Sequence, residues 1–156
     1  MKGASCALTG HRDLPAAFNR KLLYDELEGL IRDGCTSFFC GMAEGFDLMS
    51  LQFLVDLKEN YPIYLEACVP FRGQERNFRE HDRMLYHYLM RQCDHVTVLF
   101  DSYKNGCFLV RDRYMVDCSD LVFAYCTRSS GGTAYTVRYA KEAGKPVIFS
   151  KAGEPF

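Results

Sequence analysis

The chain has 156 residues, which is long enough for one domain with a sizeable apolar core. Its formal net charge is −1 at pH 7 and no long run of one sign occurs, which argues against a nucleic-acid or membrane-surface module. No apolar run approaches the ~20 residues that cross a bilayer, so a membrane partner is not expected.

The eight cysteines indicate the compartment in which the protein works. They form no C-x-x-C pair, and the closest two, Cys35 and Cys40, have no histidine nearby, so no metal site is predicted. The first apolar stretch is short and is interrupted by Thr9-Gly10-His11-Arg12, which is not the pattern of a signal peptide. We therefore expect free thiols in a cytoplasmic protein.

The first half of the chain alternates between short apolar runs and amphipathic stretches, which are typical of strands and helices. Leu23, Leu27, Leu30 and Ile31 have helical spacing and predict one buried stripe. The predicted elements are a strand over 4–9, a helix that starts near Pro15 and ends at Gly34, a strand over 36–40, a helix over 46–58, and a strand over 63–69 closed by Pro70.

The second half continues the alternation. Its predicted elements are a long helix over most of 75–92, a strand over 95–100, a helix over 108–116, a strand over 121–125, a helix over 133–143 and a strand over 147–149. Six strands that alternate with helices predict an α/β fold with a doubly wound, mostly parallel sheet and helices on both faces. We expect the strand order 3-2-1-4-5-6, one domain over 1–150, and a short tail over 151–156.

A glycine-rich segment, Ser129-Ser130-Gly131-Gly132-Thr133, lies between the fifth strand and its helix. A helix N-terminus has unpaired N–H groups and a partial positive charge, and glycines there let an anion approach the backbone closely. Thr133 either caps the helix or donates its hydroxyl to a phosphate. The same residues are also compatible with a simple turn that needs two glycines.

Small and polar residues recur in the other loops that follow strands. In an open parallel sheet, these loops meet at the carboxyl edge, where ligands bind. The convergence of glycines beside helix starts predicts a ligand that bears a phosphate. The loops concerned are 9–12, 41–47, 70–74, 101–105 and 129–133.

Single side chains in these loops leave two interpretations open. His11 and Arg12 either contact a phosphate or form a solvated turn. Asp47 is either stabilised by the dipole of its helix or accepts a hydrogen bond from a ribose hydroxyl, and Glu44 is either solvated or a base. Arg111 either reaches the site or pairs with a nearby acid.

Six motifs in order, over nearly the whole chain, are similar to those of one family. The series resembles the YpsA-like family of the SLOG superfamily, which includes the DNA-processing protein DprA and the Lonely-Guy (lysine-decarboxylase-like) phosphoribohydrolases. The motifs are Thr9-Gly10-His11-Arg12, residues 41–47, Val69-Pro70-Phe71 with Gln74, Arg111 with residues 114–117, Ser119-Asp120, and Gly131-Gly132-Thr133-Ala134-Tyr135.

The resemblance implies a bacterial protein with a three-layer Rossmann-like fold and a pocket for a nucleotide, NAD or an ADP-ribose-like ligand. It leaves open whether Arg111 or Arg113 lines that pocket. The ligand-binding residues that it implies are Thr9, Gly10, His11, Arg12, Gly41, Asp47, Arg111, Gly131, Gly132 and Thr133.

Comparison with the phosphoribohydrolases bears on catalysis. Their P-G-G-x-G-T-x-E-E loop supplies a glutamate for cleavage of the base–ribose bond, whereas Ala134-Tyr135-Thr136-Val137 follows Gly131-Gly132-Thr133 here. No carboxylate begins this helix, so the pattern favours a protein that is not an enzyme. The catalytic residues stay unknown, with Asp47 and Glu44 as candidates from another loop.

Three functions follow from these observations. The first is a sensing or regulatory module that binds a nucleotide-like small molecule with its phosphate on the Gly131-Gly132-Thr133 loop. The second is a nucleoside or nucleotide N-glycosidase, or a deoxyribosyltransferase. The third is an adaptor for a protein partner. A homodimer is common for such folds, but no interface is indicated.

Overall fold

The structure of the protein, a computed structural model, describes residues 3–154. Its strands are β1 Ala4–Gly10, β2 Cys35–Cys40, β3 Tyr64–Phe71, β4 His95–Phe100, β5 Leu121–Tyr125 and β6 Val147–Phe149. Its α-helices are α1 Arg20–Arg32, α2 Phe46–Leu57, α3 Glu80–Gln92, α4 Cys107–Asp117 and α5 Gly132–Glu142. None of the helices within residues 3–154 is long and apolar enough to span a bilayer.

All six strands are parallel in one sheet with the order β4-β3-β2-β1-β5-β6. The predicted α/β fold class is therefore confirmed. The predicted order 3-2-1-4-5-6 is wrong, because β4 pairs with β3 and the neighbour of β1 is β5. Alternation of strands and helices predicts parallel pairing, but it does not determine at which point the chain reverses its direction across the sheet.

Helices cover both faces of the sheet. The larger apolar core lies under α1, α2 and α3, where Leu23, Leu27 and Leu30 are buried as predicted and Ile31 is half-buried. A smaller core lies under α4 and α5 and includes Met115, Val116, Val137 and Ala140. This arrangement confirms the three predicted layers.

The predicted helix start near Pro15 is wrong. Pro15 lies in a turn, where its carbonyl accepts from the N–H of Phe18 at 3.0 Å, and α1 begins five residues later. Asn19 caps α1 because its side chain accepts from the N–H of Leu22 at 2.9 Å. The N–H of Asn19 also donates to the carbonyl of Ala152 at 2.7 Å, so the described part of the predicted tail lies against α1, and residues 155–156 fall outside the described range.

Two further boundaries differ from the prediction. The strand β3 continues through Pro70, and Phe71 still pairs with Phe100, because one missing N–H does not end the pairing. The helix predicted over 75–92 is two elements, a short 3₁₀ helix, Gln74–Asn77, and α3. The extended backbone of Phe78 separates them, with φ −73° and ψ 157°.

Candidate functional site

A cavity of about 280 Å³ lies at the carboxyl edge of the sheet. The strand order reverses between β1 and β5, and the loops after β1, β2 and β5 surround the cavity together with α4. Ligands of doubly wound sheets bind at such a reversal because the two neighbouring loops diverge there and leave a crevice.

The cavity brings together residues that are far apart in the sequence. Every residue predicted to bind the ligand lies on its lining, although ligand binding itself stays a prediction. These residues are Thr9, Gly10, His11, Arg12, Gly41, Asp47, Arg111, Gly131, Gly132 and Thr133.

Two other candidates lie elsewhere. The Oε2 atom of Glu44 accepts from the N–H of Arg79 at 3.1 Å, so Glu44 lies outside the lining of this cavity. Arg113 donates from Nη1 to the hydroxyl of Tyr135 at 2.8 Å and is also outside the lining. Arg111, not Arg113, therefore contributes to the cavity wall.

The N-terminus of α5 opens into the cavity without a side-chain cap. Gly131 occupies the N-cap position with φ 98°, a left-handed value that favours glycine, so the expectation that Thr133 caps the helix is wrong. A Cβ atom at Gly131 or Gly132 would meet no atom of the described residues within 4 Å. The first N–H groups of α5 are thus approachable from the cavity.

Arg111 is buried in the wall, where its side chain is 7% exposed. Its Nη1 donates to the carbonyl of Gly41, and its Nε donates to Oδ1 of Asp112 at 2.7 Å. Burial lowers the pKa of Arg111, but the carboxylates of Asp112 and Asp47 outweigh that effect and raise it. A Cβ at Gly41 would lie 2.8 Å from this guanidinium, so glycine permits the close approach.

Asp47 is 5% exposed at the start of α2 and lines the cavity. Its Oδ2 accepts from the N–H of Ala43 at 3.2 Å, whereas Oδ1 has no hydrogen-bond partner among the described residues. Burial raises the pKa of Asp47 to about 7, against the opposing effect of Arg111. Asp47 is therefore a buried carboxyl group in the cavity wall with one oxygen that is shielded from solvent and has no hydrogen-bond partner among the described residues.

His11 is buried, and its Nε2 accepts from the N–H of Thr127 at 2.8 Å. An accepting Nε2 requires the neutral ring with its proton on Nδ1. Burial, followed by the charge of Arg128, lowers the pKa of His11. The buried ring anchors the loop after β5, so the interpretation of His11 as part of a solvated turn is wrong. Contact between His11 and a phosphate stays a prediction.

The family model of the YspA SLOG family (YpsA) matches residues 8–147. The chain belongs to the YspA SLOG family. This protein is also 26% identical over 132 residues to a UPF0398 protein of Bacillus cereus (strain G9842), in a match that covers 81% of this chain and 71% of the relative. The predicted family is thus confirmed.

Solved structures share the fold of this YspA SLOG protein. DNA processing protein A from Helicobacter pylori, described with a single-stranded DNA binding mode, matches with a TM-score of 0.66 and 17% identity over 95% of this chain. The match spans 65% of the Helicobacter protein, slightly less than two thirds of its length. The molybdenum cofactor binding protein from Rippkaea orientalis matches with a TM-score of 0.61 and 18% identity, over 96% of this chain and 77% of that protein.

These identities show a shared fold and nothing finer. The fold nevertheless occurs in a protein that binds single-stranded DNA, so the expectation that nucleic acid is an improbable partner is not supported. Net charge was a weak basis for that expectation because −1 describes the whole chain, whereas binding depends on how charge is distributed over the surface.

Among the cavity residues that sequence reasoning missed in this YspA SLOG protein, Phe108 and Arg128 bear most directly on a ligand. The guanidinium groups of Arg12 and Arg111 lie 5.3 and 5.8 Å from the centre of the Phe108 ring. Arg128 comes three residues before Gly131, so its position in the loop after β5 was a usable signal. Phe108 gave none, because it is an apolar residue of α4 and lies beyond the nearest predicted loop, 101–105.

Asp47 makes a testable contribution to the pH dependence of stability. Its pKa of about 7 in the folded protein exceeds the ordinary 3.8, so between these values the folded chain binds more protons than the unfolded chain. The contribution of Asp47 to the free energy of unfolding is fully present below about pH 4 and is lost as the pH rises to about 7. We expect Asp47→Asn to reduce the fall in the free energy of unfolding across this range by about 2–4 kcal/mol.

Urea unfolding at pH 4.5 and 7.5 measures this difference, and Asp56→Asn is the matched control. Asp56 lies on the same helix but is exposed, so its replacement leaves the pH dependence unchanged. Identical pH dependence in Asp47→Asn and in the unmodified protein would contradict the raised pKa.

Proposed function

We propose that this protein binds the phosphate of a nucleotide or nucleotide-derived ligand on the N–H groups of residues 131–133, in a sensing or regulatory role. The observation that carries the proposal is the uncapped N-terminus of α5, which opens into the cavity beside two unobstructed glycines. Backbone N–H groups and the helix dipole both favour an anion there.

The charges of the cavity support an anionic ligand. The charge of Arg111 is compensated by Asp112 and faces Asp47. Arg12 and Arg128 also line the cavity, and neither forms an ion pair within residues 3–154. Two guanidinium groups are therefore available to a phosphate.

The remaining lining suits the rest of a nucleotide. Oδ1 of Asp47 has no partner and would accept a hydrogen bond from a ribose hydroxyl. The Phe108 ring supplies an aromatic surface for contact with a base. The cavity is close to the lower end of the usual volume range for small-molecule sites, roughly 300 Å³, which is consistent with a ligand of mononucleotide size.

Gly132→Asp is expected to weaken the binding of nucleoside monophosphates at least tenfold, because the new carboxylate lies where the phosphate would bind. Isothermal titration calorimetry with the four ribonucleoside 5′-monophosphates measures the effect. Gly29→Asp is the matched control, since a Cβ at Gly29 also meets nothing within 4 Å and α1 is not part of the cavity. Unchanged affinity in Gly132→Asp would contradict this phosphate position.

A second candidate function, N-glycosidic cleavage or deoxyribosyl transfer, is favoured by Asp47 alone. A carboxyl group in the cavity wall with a pKa of about 7 and one oxygen without a partner is suited to general acid–base catalysis near neutral pH. Glu44 is not part of this candidate because it bonds to Arg79 outside the cavity. Chromatographic assay for free base tests it: release that Asp47→Asn abolishes supports the activity, whereas release that survives the substitution excludes Asp47 as the catalytic group.

A further inference from the structure

A second cavity of about 260 Å³ adjoins the first. It is formed by the loop after β1, the start of α1, α2 and the start of α3. Arg12 lines both cavities, and a Cβ at Gly45 would lie only 2.2 Å from the carbonyl oxygen of Arg12. The loop that contains Arg12 therefore packs directly on the start of α2, and a single residue borders the two spaces.

The second cavity combines unpaired positive charge with an apolar surface. Its lining includes Arg12, Arg20 and Arg79 but only one acidic residue, Asp82; the nearby Glu44 accepts from the backbone N–H of Arg79 and is outside the lining. Within residues 3–154, none of the three arginines forms an ion pair or donates a side-chain hydrogen bond to the protein. The apolar part of the lining consists of Leu14, Leu48, Met49 and Leu85.

A third depression provides a comparison within the same molecule. It is also lined by arginines, but there Arg72 forms an ion pair with Asp101 at 3.8 Å. In the second cavity, the arginines outnumber the acid by three to one and no such pair forms. Guanidinium groups without ion pairs are suited to binding an anionic group, and the adjacent apolar side chains are suited to contact with the base or sugar attached to it.

We propose that the second cavity binds the second half of a ligand that has two phosphate groups, a dinucleotide joined by a phosphodiester. The inference rests on the proposed function, in which the first phosphate binds at α5. The phosphodiester that links the two nucleosides passes Arg12 and contacts Arg20 and Arg79, and the second nucleoside packs on the leucine and methionine side chains.

Calorimetry with matched probes tests the inference. The probes are the four ribonucleoside 5′-monophosphates and the corresponding 5′-phosphorylated dinucleotides, pApA, pCpC, pGpG and pUpU. For the base that the protein prefers, we expect the dinucleotide to bind at least tenfold more tightly than the monophosphate. The double variant Arg20→Gln/Arg79→Gln removes this gain and leaves the affinity for the monophosphate unchanged.

The control is Lys21→Gln/Arg91→Gln, which removes two exposed positive charges outside the second cavity and keeps the gain. Equal affinity for the two probes, or a gain that survives in Arg20→Gln/Arg79→Gln, would overturn this inference but not the proposed function. Failure of all four monophosphates and all four dinucleotides to bind would overturn both. Arg20 and Arg79 are both exposed, so we expect the double variant to have the same melting temperature as the unmodified protein. An unchanged melting temperature excludes a folding defect.

Discussion

Arg111→Met is expected to lower the free energy of unfolding by about 3–5 kcal/mol. The Arg111 side chain is 7% exposed, and its guanidinium donates to the carbonyl of Gly41 and to Asp112. It is also the positive counter-charge to Asp47. Methionine fills much of the same space but leaves these buried acceptors without their donor. The cost comes mainly from the partners that remain unpaired, because a buried carboxylate without a counter-charge is strongly disfavoured.

Urea unfolding at pH 7.5 measures this loss, with Arg113→Met as the control. Arg113 lies two residues after Arg111 on α4 but donates to the hydroxyl of Tyr135 outside the cavity, so we expect its replacement to cost much less stability than that of Arg111. Arg111→Lys keeps the charge and loses the planar donor fork, and we expect an intermediate value. If Arg111→Met were as stable as the Arg113→Met control, the hydrogen bonds of Arg111 would not stabilise the cavity wall.

Gly45→Ala has the second large effect, a loss of about 2–4 kcal/mol. Gly45 has φ +81°, a conformation that L side chains rarely adopt, and the new Cβ would lie 2.2 Å from the carbonyl oxygen of Arg12 and 2.7 Å from that of His11. The backbone must move to relieve this contact. Since this contact joins the loop after β1 to the start of α2, the binding of any ligand beside Arg12 weakens as well.

Gly106→Ala is a comparison at an open position. Gly106 has nearly the same φ, +80°, but its ψ is 2° whereas that of Gly45 is −121°, and a Cβ at Gly106 meets nothing within 4 Å, so we expect a loss of about 1 kcal/mol. The additional loss at Gly45 in urea unfolding measures the close contact together with the less accessible backbone conformation. Equal losses at the two positions would contradict the tight packing of Gly45 on the loop after β1.

Much of the fold could be predicted because its signals are local. The apolar runs of β1, β2 and β5 and the periodicity of α1 and α5 identified elements to within a few residues. Strand order is not local, and the prediction failed for β4. The exposure of the two strands reflects their true positions, because His95 and Val96 of β4 are exposed at the edge of the sheet, whereas every residue of β5 is buried between two neighbours.

The candidate site could be predicted as a set of loops but not as a set of contacts. Carboxyl ends of parallel strands converge whatever their order, so the glycine-rich loops met at one cavity even though the order of the strands was wrong. The roles of Glu44 and His11 depended on the partners Arg79 and Thr127, which are 35 and 116 residues away in sequence. No spacing in the chain indicates such pairs.

The most direct test of the phosphate position is a titration of the ¹⁵N-labelled protein with the four nucleoside monophosphates, followed through its backbone amide resonances. We expect the largest shifts at residues 131–134, the loop and first turn of α5, and we expect Gly132→Asp to abolish them while Gly29→Asp does not. Binding with the amides of residues 131–134 unshifted, or no binding at millimolar concentrations of all four, would contradict a phosphate at the N-terminus of α5.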